Sequence, residues 1–141
     1  MSIWQQHTDI GAANAMMRNT IGETLGITVD EIGDDYLRAS MPVDTRTHQP
    51  MGILHGGASV VLAESVGSMA SNMVCAKGKA AVGLDVNANH LCKVRTGRVH
   101  ATARPVHLGR TTHVWDIRLC DDHGKEVCIS RLTMAVIDFE L

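Results

Sequence analysis

The chain has 141 residues, 45% of them apolar and 20% charged, and a net charge of −2. That is the size and balance of one soluble domain, residues 1–141, able to build its own core. Scattered basic residues at near-neutral charge exclude a nucleic-acid or membrane-surface footprint, and no apolar run approaches the ~18 residues of a membrane span.

The N-terminus MSIWQQHTDI carries no cationic start followed by an apolar run, so no secretory leader is expected. Asp9 to Met17 is weakly amphipathic and reads as a short helix ended at Asn19 or Thr20. Leu25 to Glu31 and Tyr36 to Met41 are short strands joined by the turn Gly33-Asp34-Asp35. Asp44 to Ile53 is a loop. Gly57 to about Cys75 is a helix that is apolar on most of its circumference, as a buried helix is. Strands follow at Ala81 to Leu91, Arg98 to Val106, Thr111 to Cys120 and Glu126 to Asp138. In the first, Val82, Leu84, Val86 and Ala88 form the apolar face. In the last, the apolar face switches near Ser130-Arg131, which predicts a bulge there. The short linkers favour antiparallel neighbours. The apolar sheet edges favour pairing with a second subunit.

Cys75, Cys92, Cys120 and Cys128 form no CxxC pair and read as reduced thiols in a cytoplasmic setting. The eight histidines show no zinc spacing, so no metal is expected.

The chemistry concentrates in His48 to Ser65, HQPMGILHGGASVVLAES. A Glu on a helix is ordinarily a surface acid. The neighbours of Glu64 (Val60, Val61, Leu62, Ala63 and Val66) leave it little solvated face. Ser68 and Asn72 follow at four-residue steps and share its side of the helix. A carboxylate placed there is expensive unless paired, which points to function. His55-Gly56-Gly57 reads either as a turn into the helix or as an oxyanion site, where unpaired helix N–H groups face a substrate oxygen. Gln49 reads either as a donor to a substrate carbonyl or as an exposed loop residue. His90 fits packing as well as binding. With Lys93, Arg95 and His107 to Arg110 it would make a rim for phosphate, or these are solvated strand ends.

HQPMGILHGGASVVLAES, preceded by MPVDTRTHQP and followed by VGLDVNANHL, VHLGRTTHVW and ISRLTMAV, resembles the hotdog-fold acyl-CoA thioesterases. The similarity is greatest to the bacterial subgroup of proofreading thioesterases and 1,4-dihydroxy-2-naphthoyl-CoA hydrolases, and it runs from Trp4 to Val136. It implies an α+β hotdog fold, a curved antiparallel sheet wrapped around one long central helix. It also implies dimers paired into tetramers, with the active site between subunits. On that likeness Glu64 is the catalytic carboxylate, as nucleophile or general base. Gln49, His55 and the Gly56 N–H polarise the thioester carbonyl from across the interface, and Ser68 positions water. His90, Lys93, Gly109, Arg110, Val82 and Gly83 lie toward coenzyme A, which is part of the substrate rather than a cofactor. Met51 and Cys92 depart from the family pattern, which usually has Phe at the first position and often Arg at the second. The implied activity is hydrolysis of an acyl-CoA, most readily an aromatic one, or of an acyl-carrier-protein thioester. A hotdog dehydratase or hydratase, or a non-catalytic acyl-CoA binding protein, are the competing expectations.

Overall fold

A computed structural model describes residues 1–140. The chain runs α1 (Ile10–Ala15), α2 (Ile21–Leu25), β1 (Thr28–Ile32), β2 (Leu37–Pro42), α3 (Gly56–Val74), β3 (Lys79–His90), β4 (Arg98–Leu108), β5 (Thr112–Cys120) and β6 (Glu126–Asp138). Among the described residues no helix is long and apolar enough to cross a membrane.

Local signals set the helix ends. Asp9 caps α1 by accepting from the Ala12 N–H at 2.7 Å. Thr20 caps α2, and Gly26 closes it in the left-handed region at φ 73°. Sequence reasoning placed no helix at α2. His55, in extended backbone, caps α3.

The six strands form one antiparallel sheet in the order β1-β2-β4-β5-β6-β3. α3 lies across one face and touches β2, β3, β4, β5 and β6. Between them sits the core, in which Trp115, Leu37, Met41, Leu62, Ile117 and Leu132 are fully buried. The fold is an α+β hotdog fold, but the sheet is not wrapped around a single central helix. β1 and β3 remain its open edges, and two further helices accompany α3. Geometry explains this. Five strand spacings of about 4.8 Å give roughly 24 Å of sheet, whereas a sheet packed about 10 Å from the helix axis would need roughly 60 Å to close around it. Six strands can cover one side of α3 and no more. The flank carrying Val60, Val61, Glu64, Ser65 and Ser68 stays half-exposed.

Each open edge is held by one asparagine. Asn14 accepts from the Val29 N–H at 2.7 Å and donates to the Val29 carbonyl at 3.1 Å, on β1. Asn72 accepts from the Ala81 N–H at 2.9 Å and donates to the Ala81 carbonyl at 3.2 Å, on β3. A side-chain amide thus replaces the missing strand at one residue of each edge.

Two expectations about faces need correction. The β6 bulge lies at Val127, not at Ser130-Arg131. Leu119 pairs with Cys128 and Cys120 with Glu126, while pairing through Ser130 and Arg131 is regular. Ser130 therefore stays on the core face and donates to the Asn87 carbonyl at 2.8 Å. On β3 a second irregularity, between Gly83 and Asp85, leaves Val82 and Leu84 exposed while Ala81 is buried.

Candidate active site

α3 runs antiparallel to β3, so its start meets the end of that strand and its end meets the strand's beginning. Gly56 packs on the His90 ring, and a Cβ added there would lie 2.8 Å from His90 Nε2. Sixteen residues on, Asn72 grips Ala81. This arrangement distributes the singled-out residues over two clefts.

The first cleft, of about 310 Å³, is lined by Gln49, Gly56, Ser59, His90, Cys92 and Lys93 among others. The loop before α3 is fixed by backbone bonds. The His55 N–H donates to the Thr47 carbonyl at 2.8 Å, and the Leu54 N–H to the Val94 carbonyl at 2.7 Å. His55 Nδ1 accepts from the Gly57 N–H at 2.8 Å. A ring nitrogen that accepts carries no proton, so in the neutral ring Nε2 bears the hydrogen and is a donor. The Gln49 side-chain oxygen accepts from the Met51 N–H, which leaves its NH₂ group as the free end. The Gly56 N–H is among those at a helix start that have no partner within the helix. His48 is a loop tie, with Nε2 at 2.8 Å from the Arg95 carbonyl. Met51 is 73% exposed at the loop tip.

The second cleft, of about 510 Å³, is lined by Ile21, Val61, Glu64, Ser65, Ser68 and Gly83. The Glu64 carboxylate lies on the β3 backbone at Gly83, where a Cβ would come within 2.7 Å of Oε2. Only a residue without a side chain permits that approach. Among the described residues no hydrogen bond or ion pair reaches this carboxylate, and the group is half-buried. The predicted seam of Glu64, Ser68 and Asn72 therefore divides. Asn72 is consumed in holding β3, Ser68 lines the cleft, and Glu64 is unengaged.

The structure does not bring all predicted residues together in one chain. Gly56 and Glu64 are eight residues apart on α3, about 12 Å along its axis. Gly109 and Arg110 form the β4–β5 turn, where the Gly109 N–H donates to the Thr112 carbonyl at 2.8 Å. Thr112 pairs with Ala135, which pairs with Val82. That turn lies at the end of the sheet where β3 begins, opposite the end holding His90 and Lys93. Gly83 and exposed Val82 lie on the Glu64 side. Sequence reasoning missed one buried polar pair outside both clefts, Ser71 Oγ at 2.6 Å from His113 Nδ1. It joins α3 to β5, and burial, with repulsion from His107, lowers the His113 pKa.

Residues 51–128 match the family described as Thioesterase superfamily. The chain is 46% identical to the proofreading thioesterase EntH of Cronobacter sakazakii, over 96% of this chain and 98% of that one. It is 47% identical to the 1,4-dihydroxy-2-naphthoyl-CoA hydrolase of Escherichia coli, over 96% of this chain and 99% of that one. A Pseudomonas aeruginosa thioesterase, solved as its Q49A variant, superposes with a TM-score of 0.96 at 59% identity. That match covers 98% of this chain and 100% of the other. A Staphylococcus aureus thioesterase at 38% identity has a TM-score of 0.78, over 82% of this chain and 97% of that one. It has been solved with a glutamine and, separately, a glutamate fifteen residues further on each replaced by alanine. Fifteen is also the spacing between Gln49 and Glu64. The chain belongs to the thioesterase superfamily and is a hotdog-fold thioester hydrolase related to the bacterial proofreading thioesterases.

Proposed function

We propose that the protein hydrolyses an aromatic acyl-CoA thioester to the free acid and coenzyme A, with Glu64 as the reacting carboxylate. The observation that carries this is the unengaged Glu64 carboxylate, held against bare Gly83 in an open cleft. Glu64 either attacks the thioester carbon or takes the proton from an attacking water. A thiolate leaves readily, so one carboxylate suffices without a strong acid. Gln49, His55 Nε2 and the Gly56 N–H bind the oxyanion, each contributing about 10²–10³ in rate. Ser68 holds water beside the acid. That one relative is a 1,4-dihydroxy-2-naphthoyl-CoA hydrolase supports an aromatic acyl group. His55 Nδ1 accepts from the Gly57 N–H, so in the neutral ring Nε2 carries the hydrogen and is a donor rather than a base, which weighs against the hydratase reading.

The donors and the acid belong to different subunits in this reading. β3 is an open edge, and exposed Val82 and Leu84 lie along it. Two copies paired antiparallel through β3 about a two-fold axis would set the His90 end of each strand beside the Gly83 end of the other. Each Gly56 would then face the other copy's Glu64. The Gly109-Arg110 turn of one copy would join His90 and Lys93 of the other to receive coenzyme A.

The test is thiol release from benzoyl-CoA and 1,4-dihydroxy-2-naphthoyl-CoA. Glu64→Gln and Gln49→Ala should each lose about 10²–10⁴ in turnover. Co-expressed, they should recover about a quarter of wild-type activity, because half the pairs are mixed and each contains one intact site. Near wild-type turnover by Glu64→Gln would sink the catalytic assignment. Mixed pairs without recovered activity would sink the shared site.

A further inference from the structure

We infer that the N-terminal arm, Gln6 to Met17, forms the outer wall of the acyl subsite and sets which acyl groups are accepted; this rests on the assignment of Glu64 as the reacting carboxylate. A mostly apolar cavity of about 390 Å³ separates the arm from α3. Met16 and Met17 face it from one side, Met69 and Met73 from the other, and His7 is on its rim. Ser65 and Ser68 line this cavity and the Glu64 cleft alike. An acyl group whose carbonyl sits at Glu64 therefore has a continuous path past two small side chains into a chamber walled by four thioethers. Thioethers are polarizable and unbranched, so they mould to a flat ring and make favourable contacts with it.

The wall is held rather than loose. The Gln5 and Gln6 N–H groups both donate to the Met73 carbonyl at 2.9 Å, and the Gln6 amide donates to the Cys75 carbonyl at 2.9 Å. Trp4 Nε1 donates to the Gly33 carbonyl at 2.6 Å, and Asn14 anchors α1 to Val29. The stretch of chain ahead of the glutamine differs in length in one relative. In the Staphylococcus aureus relative the replaced glutamine and glutamate are each numbered seventeen lower than Gln49 and Glu64, so the preceding segment is shorter while the spacing between them is kept. A stretch that changes length ahead of fixed machinery is what a specificity element requires.

The experiment compares kcat/KM for 2-naphthoyl-CoA and benzoyl-CoA in Met17→Ala, Met17→Phe and Met16→Ala, with thermal melts alongside. Met17→Ala should raise the naphthoyl-to-benzoyl ratio about tenfold or more, and Met17→Phe should lower it by a similar factor. Met16 is 68% exposed, so Met16→Ala leaves the fold intact, and it should move the ratio in the same direction as Met17→Ala. A ratio unchanged within about twofold in both alanine variants overturns the inference, as does an equal loss on both substrates. Calorimetric binding of the same two thioesters in a Glu64→Gln background separates the two assignments. If Glu64→Gln still turns over while Met17→Ala shifts the affinity ratio, the wall stands and the catalytic assignment falls.

Discussion

Replacing Asn72 with alanine isolates the bond that ties α3 to the free edge of the sheet. The wild-type amide closes a ring with Ala81, N–H to Oδ1 at 2.9 Å and Nδ2 to carbonyl at 3.2 Å, and also donates to the Ser68 carbonyl at 2.9 Å. Ala81 is only 6% exposed, so truncation strips a buried donor and a buried acceptor of their partners. Each such loss costs about 1–3 kcal/mol. Water can reach an edge strand, and the Ser68 carbonyl keeps its place in the helix, so the low end applies to two groups, about 2 kcal/mol in all. For a chain of this length that lowers Tm by roughly 6–8 °C. Urea unfolding at fixed protein concentration, with amide exchange at Ala81, measures it, because association would shift the apparent stability. A loss below about 0.5 kcal/mol with unchanged Ala81 protection would refute the claim that the amide serves as the edge's missing neighbour.

Gly83→Val should retain the fold, since valine suits a strand, while its Cβ displaces the Glu64 carboxylate and turnover falls about 10²-fold; activity within twofold of wild type would show that the carboxylate's seat is not critical. His113→Gln reports on the buried imidazole. Burial, then His107, depresses the folded-state pKa of His113, so the unfolded ring takes up its proton first. Stability is complete above about pH 6.5 and drains as pH falls through the lowered folded value. Melts from pH 7.5 to 5.5 should show a steeper decline in wild type than in the variant, and equal slopes would count against this.

Much of the chain was legible because local and tertiary preferences agree. α3 begins within a residue of its expected start because His55 and two glycines end a loop. The strands follow their alternation. α2 was missed although its signals are present. Thr20 and Glu23 have capping-box spacing, and Gly26 closes the helix, but Asn19 and Thr20 read equally well as the end of the preceding segment. The β6 bulge was misplaced because Val127 and Cys128 are both apolar, so the pattern alone cannot say which is the extra residue. The seam of Glu64, Ser68 and Asn72 was visible as a face. Which member was already engaged was decided by Ala81, on the next strand. The idea of a wrapped helix failed on width, which no residue pattern encodes.

Gly56, the proposed donor, and Glu64, the proposed acid, ride on one continuous helix. Substitutions in the loop from Asp44 to Leu54 can retune the donor side while the acid stays where it is. Substitutions under α3, at Leu62 or Val66, tilt the whole rod and displace both together. On the proposed assignments, adaptation to new acyl groups has an easy route through the loop and the arm, and a hard one through the core.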